Sequence, residues 1–226
     1  MARKRSKPAP VSFLRRNGLV LVFVGLTAIS LGGHAASGWH VENVERLEHG
    51  QSVQSFVEYL QGGQFLSSMF ENWESEFLQM GLFVLLTVWL RQQGASESRP
   101  IDPAEEDPEP RVPKAEQPWP LRRGGGWQKL YEHSLSLALF VLFAASFAAH
   151  WYNSWRFHSE EQLQHGEAPV AMLQYLADSQ FWFESFQNWQ SEFLSVAVLC
   201  LLSIWLREKD SPQSKPVHAR HSDTGA

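Results

Sequence analysis

Asn72-Trp73-Glu74-Ser75-Glu76-Phe77-Leu78 returns as Asn188-Trp189-Gln190-Ser191-Glu192-Phe193-Leu194, an offset of 116 residues. At that offset residues 14–100 align with 130–216 without a gap, at roughly one identity in three. Both copies then end in Trp-Leu-Arg, at Arg91 and Arg207. Further matches pair His34 with His150, Trp39 with Trp155, Glu45 with Glu161, His49-Gly50 with His165-Gly166, and Tyr59-Leu60 with Tyr175-Leu176. The period is too long and the copies too few for a solenoid, so the pattern reads as duplication of one supersecondary unit.

Each copy holds two apolar stretches: Leu19–Ala36 and Trp73–Leu90 in the first, Leu135–Tyr152 and Trp189–Leu206 in the second. All are close to bilayer-spanning length, about 20 residues at helical rise. The mean hydropathy of −0.26 conceals them, because very polar blocks lie between. Ten Trp and fifteen Phe against four Tyr suit a membrane interface. The first stretch imitates a signal peptide, with a basic start and the small residues Gly33-His34-Ala35-Ala36, but its counterpart sits mid-chain, which argues against cleavage. The expected fold is all-α and integral to the membrane: four transmembrane helices as two tandem parallel two-helix repeats, with short amphipathic outer helices.

Orientation follows from the basic residues. Arg3, Lys4, Arg5, Lys7, Arg15 and Arg16 precede the first stretch, and Arg91 and Arg207 close the second and fourth. Both termini are therefore expected in the cytoplasm. The intervening segments, with Glu42, Glu45, Glu48 and Glu58, or Glu160, Glu161, Glu167 and Asp178, are expected outside. Two spans per copy give both copies the same orientation, about an axis along the membrane normal. The divisions are a basic N-terminus (1–16), a first two-helix repeat (17–91), a cytoplasmic linker (92–127), a second repeat (128–207) and a tail (208–226). Pro100, Pro103, Pro108, Pro110, Pro113, Pro118 and Pro120, the acidic Glu105-Glu106-Asp107 and the run Gly124-Gly125-Gly126 predict a disordered linker, and the polar tail reads likewise. Val53, Phe56, Val57 and Leu60, and approximately Val170, Leu173 and Leu176, recur at helical spacing, as in a short helix lying on the outer surface.

The candidate site is a polar stripe on the second helix of each copy. Asn72, Ser75, Glu76 and Gln79 share a helical face, repeated by Asn188, Ser191, Glu192 and Ser195. Glu76 precedes Arg91 by about 22 Å of helix, which puts it in the outer leaflet zone. His34 and His150 reach a comparable depth on the first helices, with Ser30 and Ser146 one turn below. An ionisable group at that depth turns towards a partner. The reading therefore pairs His34 with Glu76, and His150 with Glu192. Such a cluster is open to three roles: interhelical packing, a binding site for a proton, cation or small polar solute, or acid/base catalysis. No nucleophile or phosphate-binding motif accompanies the carboxylates, so no enzyme activity and no cofactor is expected. Glu45/His49 and Glu161/His165 read as last-turn pairs capped by Gly50 and Gly166; a metal site that adds His40 or His158 is the alternative. Cys200 is the lone cysteine and excludes an intrachain disulfide. Net charge −5 gives no basic field for nucleic acid. The expected partners are the lipid bilayer and a further copy of the chain or another membrane protein.

The NWESEFLQ block, the LLTVWLRQQGASES that follows it and the EHG and EYL steps resemble a bacterial family of predicted membrane proteins of unknown function. The resemblance covers nearly the whole chain outside the linker and tails. It implies bacterial origin and brings no catalytic residues; with the spans and orientation read above, the expected location is the bacterial cytoplasmic (inner) membrane, multi-pass. Gln187 and Gln190 replace Glu71 and Glu74 in the second copy, which marks those charges as dispensable to the repeated unit.

Overall fold

The structure is a computed structural model that describes residues 12–106, 108 and 112–225. Arg3, Lys4, Arg5, Lys7, Asp107 and Pro110 of the sequence reading lie outside the described residues. Among the described residues there is no strand. The helices are α1 (Phe13–Glu48), α2 (Phe56–Leu60), α3 (Gly63–Leu86), α4 (Trp119–Arg123), α5 (Gly125–Glu132), α6 (Ser134–Gln164), α7 (Met172–Tyr175) and α8 (Ser179–Trp205), with a 3-10 turn at Pro103–Glu105. The chain forms two units, one up to Phe65 and one from Leu66 onward.

In the first unit Ser12 caps α1, its hydroxyl accepting from the Arg15 amide at 3.3 Å. Leu19, Val20, Phe23, Val24, Leu26 and Ile29 along this helix are exposed. The helix ends where Gly50 takes φ 69°, so that the Gln51 amide reaches Arg46 O at 2.8 Å and the Gly50 amide reaches Leu47 O at 3.0 Å. That left-handed turn is the reason for the His-Gly step. The His49 ring settles on the Glu45 carbonyl oxygen at 2.8 Å. The chain then folds back along α1. Trp39 Nε1 donates to Gln54 O at 2.9 Å, and the Asn43 side chain exchanges two bonds with the Gln54 backbone at 3.1 and 2.7 Å. Ser55 and Glu58 close a capping box that starts α2 and delivers Tyr59, buried against Phe65 at 5.5 Å between ring centroids.

The second unit repeats these devices at the same offset. The α6 helix ends at Gly166, φ 76°, with Glu167 N bonded to Gln162 O at 2.8 Å; Trp155 Nε1 donates to Val170 O at 2.9 Å. Tyr175 and Phe181 are buried together, 5.9 Å apart, as Tyr59 and Phe65 are. After the long helices the agreement continues. Arg91 Nη1 donates to the carbonyls of Thr87, Val88 and Leu90, and Arg207 Nη1 to those of Ser203, Ile204 and Leu206, each arginine closing orphan carbonyls at a helix end. Ser98 Oγ accepts from Gln92 N and Ser214 Oγ from Glu208 N, both at 2.9 Å.

Residues 92–99 are tied to the segment after α8. Gly94 N donates to Thr224 Oγ1 at 2.9 Å, Gly225 N to Ala95 O at 3.0 Å, and Ser96 Oγ to Gln213 O at 3.0 Å. Buried Lys215 directs its ammonium to the carbonyls of Arg220, His221 and Asp223 at 3.3, 3.0 and 2.7 Å.

Two helices, α1 and α6, are long and apolar enough to cross a membrane. On α6, Leu135, Leu137, Val141 and Leu142 are exposed and Leu139 is buried, as are Ser146, His150, Asn153 and Ser154; on α1 only Ala35 is buried.

One copy-specific contact is readily tested. Gly38 stands where the second copy has Ser154, and a Cβ there would lie 2.0 Å from Tyr59 Oη and 3.0 Å from Cζ. Since Tyr59 is 3% exposed, its ring has little room to retreat. Gly38→Ala is expected to destabilise the protein by about 1–3 kcal/mol, read as a lowered thermal midpoint in detergent.

Candidate functional site

The three long helices of the second unit each supply one side of a buried polar cluster. On α6 the inward residues Ser146, His150, Asn153 and Ser154 fall at three- and four-residue spacing. On α3 they are Ser67, Glu74 and Ser75, and Gly81 lets α6 approach closely, a Cβ there meeting Leu139 and Phe140 at 3.4–3.5 Å. Asp178 caps the start of α8, whose first turns present Phe181, Glu184 and Ser185.

His150 is the centre. Its Nδ1 lies 3.1 Å from Glu74 Oε2 and its Nε2 3.2 Å from Glu184 Oε2, with the ring on Phe181 at 5.0 Å. His150 and Glu74 are fully buried. Each ring nitrogen faces a carboxyl oxygen, and the imidazole can donate an N–H to one or both of them. The remaining oxygens are also engaged. Trp189 Nε1 donates to Glu74 Oε1 at 3.2 Å, Gln180 Nε2 to Glu184 Oε1 at 2.9 Å, and Ser154 Oγ to Glu184 Oε2 at 2.6 Å. Ser154 has spent its single proton on Glu184, so the 2.8 Å contact with Tyr175 has the phenol as donor. Burial, with Glu184, Asp178 and Glu161 nearby, pushes the Tyr175 phenol up to about 12. Beside this chain Asn188 Nδ2 bonds Glu71 Oε1, and Glu71 interacts electrostatically with His150, Glu74 and Glu184. The cluster thus sets Glu71, Glu74 and Glu184 around one imidazole.

The sequence-predicted residues are distributed unevenly over this geometry. His150 is central, and Asn188 reaches Glu71. The expected partner of His150, Glu192, is replaced by Glu74 and Glu184; Glu192 instead interacts electrostatically with its repeat mate Glu76. The inward face of α3 carries Glu71, Glu74, Ser75 and Leu78, one residue from the expected 72/75/76/79, and one residue is 100° of helix rotation. Asn72 and Glu76 are exposed, Asn72 donating to Ser68 O at 2.7 Å. Ser75 is buried but donates to Asn72 O, and exposed Ser191 donates to Asn188 O, both at 2.8 Å within their own helices. His34 belongs to the first unit, half-buried, with its ring 5.2 Å from Phe65. The choice of residues present in both copies set aside Glu71, Glu74 and Glu184, whose repeat positions hold Gln187, Gln190 and Ser68. That asymmetry was the available signal: unmatched acids beside a matched histidine.

Among the described residues no three His, Cys, Asp or Glu side chains are arranged to hold a metal ion. An open groove of about 680 Å³ is lined by Gln117, Leu121, Gln128, Tyr131 and Glu132, none of them in the cluster.

Removing the imidazole would leave fully buried Glu74 and half-buried Glu184 without their shared partner. His150→Leu is expected to cost roughly 3–5 kcal/mol, while Glu192→Gln, which relieves its repulsion with Glu76, is expected to be neutral or stabilising; thermal melts in detergent compare them. Tyr175 provides a pH readout. Its folded value of about 12 exceeds the ordinary 10, so the unfolded state ionises first and this part of stability is lost as pH rises from 10 to 12. Ultraviolet titration of phenolate should show one late tyrosine that Tyr175→Phe abolishes.

No curated protein and no solved structure matches the chain. A family model described as "Domain of unknown function (DUF6766)" matches residues 10–226. With that match running from before α1 to the last residue, the chain belongs to the DUF6766 family.

Proposed function

We propose that this chain is a non-enzymatic multi-pass protein of the bacterial cytoplasmic membrane, an accessory or structural component in which the His150 cluster locks α3, α6 and α8 together. The observation that carries the reading is the inverted polarity of the second unit: Glu74, His150, Ser154 and Ser185 are buried while Leu137, Val141, Leu194, Val198 and Leu202 are exposed. Lipid accepts such an apolar surface, and a polar network holds helices whose apolar sides have no water to escape. The α3 and α8 helices, 24 and 27 residues long, run about 36 and 40 Å, enough for two further spans beside α1 and α6. In this reading four helices cross, both termini are cytoplasmic, and the Arg91 and Arg207 helix ends lie at the inner face. The saturated bonding of His150, Ser154, Trp189 and Tyr175 inside the protein favours a structural lock over a ligand pocket.

A second reading, a proton- or cation-binding site, is favoured by one observation: three acidic side chains gather about one imidazole, two of them within hydrogen-bond distance of it. The two readings separate in one experiment. Purified protein is melted across pH and with added sodium, potassium, magnesium or zinc, as wild type and as Glu71→Gln. A lock predicts no cation dependence; stabilisation by one cation that disappears in Glu71→Gln would establish the binding reading instead. For topology, Glu48→Cys and Ala104→Cys, each in a Cys200→Ser background, are expected to react with an impermeant thiol reagent from opposite sides of intact membranes. Labelling from one side would overturn the four-span arrangement.

A further inference from the structure

We propose that the segment from Trp119 to Tyr131 is a docking site for the phosphate groups of anionic lipids, an inference that rests on the membrane reading above. Gly124 and Gly125, at φ 70° and 61°, turn the chain between α4 and α5 so that Trp119 and Trp127 meet edge to face, 5.3 Å between centroids. Non-glycine residues rarely adopt that backbone, so the glycine run builds the turn. The Arg123 guanidinium lies over both rings, 5.4 Å from Trp119 and 5.7 Å from Trp127. Stacking of this kind orients a guanidinium through its face and leaves its edge N–H groups for phosphate oxygens. Arg122 and Lys129 are exposed beside it, and among the described residues none of the three cations pairs with a carboxylate.

The charge and the position both select the occupant. Residues 119–132 carry Arg122, Arg123 and Lys129 against Glu132 alone, in a chain whose net charge is −5. Trp119, Trp127, Leu130 and Tyr131 are each 42–49% exposed, a mixed aromatic and basic surface suited to the headgroup zone. The segment leads directly into α6, where exposed Leu135, Leu137 and Val141 begin the apolar stretch. A cation cluster at that junction meets lipid phosphates at contact range, where each basic residue adds appreciably to attraction for an anionic leaflet.

The full chain in detergent is titrated with phosphatidylglycerol or phosphatidylcholine, with thermal midpoint and tryptophan emission as readouts. Phosphatidylglycerol is expected to raise the midpoint and shift the emission to the blue, with phosphatidylcholine weaker. In the variant Arg122→Gln/Arg123→Gln/Lys129→Gln the apparent affinity for phosphatidylglycerol should fall about a hundredfold. Equal responses to the two lipids, or undiminished phosphatidylglycerol affinity in the variant, would overturn the site. Flotation of wild type and variant with phosphatidylcholine vesicles is run alongside. If neither floats, the membrane reading has failed; if both float without a phosphatidylglycerol preference, only the docking site has.

Discussion

The second unit depends on one interaction, an imidazole held between two carboxyl groups, with His150 and Glu74 fully buried and Glu184 reaching partly to the surface. His150, Glu74 and Glu184 come from three different helices, so their bonds set the rotation of all three at once. A buried charge left unpaired costs several kcal/mol, which makes the arrangement steeply specific. Helices that slide or rotate by one residue would strand Glu74 against apolar neighbours. Around the bridge, the indole of Trp189, the amide of Gln180, the hydroxyl of Ser154 and the phenol of Tyr175 each donate within the cluster, while the buried hydroxyl of Ser185 has no hydrogen-bond partner among the described residues. A chain of such bonds rigidifies its surroundings because each bonded member orients the next.

The network is hung on a frame of local devices that recur along the chain. Glycine caps at Gly50 and Gly166, indole-to-carbonyl bonds from Trp39 and Trp155, and arginine caps at Arg91 and Arg207 recur at one offset. Divergence explains the site. Ser154 stands for Gly38, Glu184 for Ser68, and Glu71 and Glu74 for Gln187 and Gln190, so that the acids gather about the second histidine. The glutamines of the second copy therefore do not mark the charges of the first as expendable, since Glu74 is fully buried against His150.

The sequence by itself determined the elements. The apolar runs were long enough for helices, the 116-residue repeat paired them, and His-Gly steps marked where α1 and α6 stop, since only a left-handed residue closes such an end cheaply. The short helix α2 was legible from Phe56, Val57 and Leu60 at helical spacing. These are local properties, carried by neighbours in the chain. Which acid meets which imidazole was decided only by tertiary structure. A face of 71/74/75/78 and one of 72/75/76/79 are both polar in this sequence, and the 100° between them is resolved by packing against α6 and α8. Glu184 lay outside the apolar stretches and had no repeat mate, so nothing local tied it to His150. The knot between residues 92–99 and the segment after α8 is of the same kind: its bonds join groups more than a hundred residues apart, and polar composition alone reads as loose chain until those partners meet.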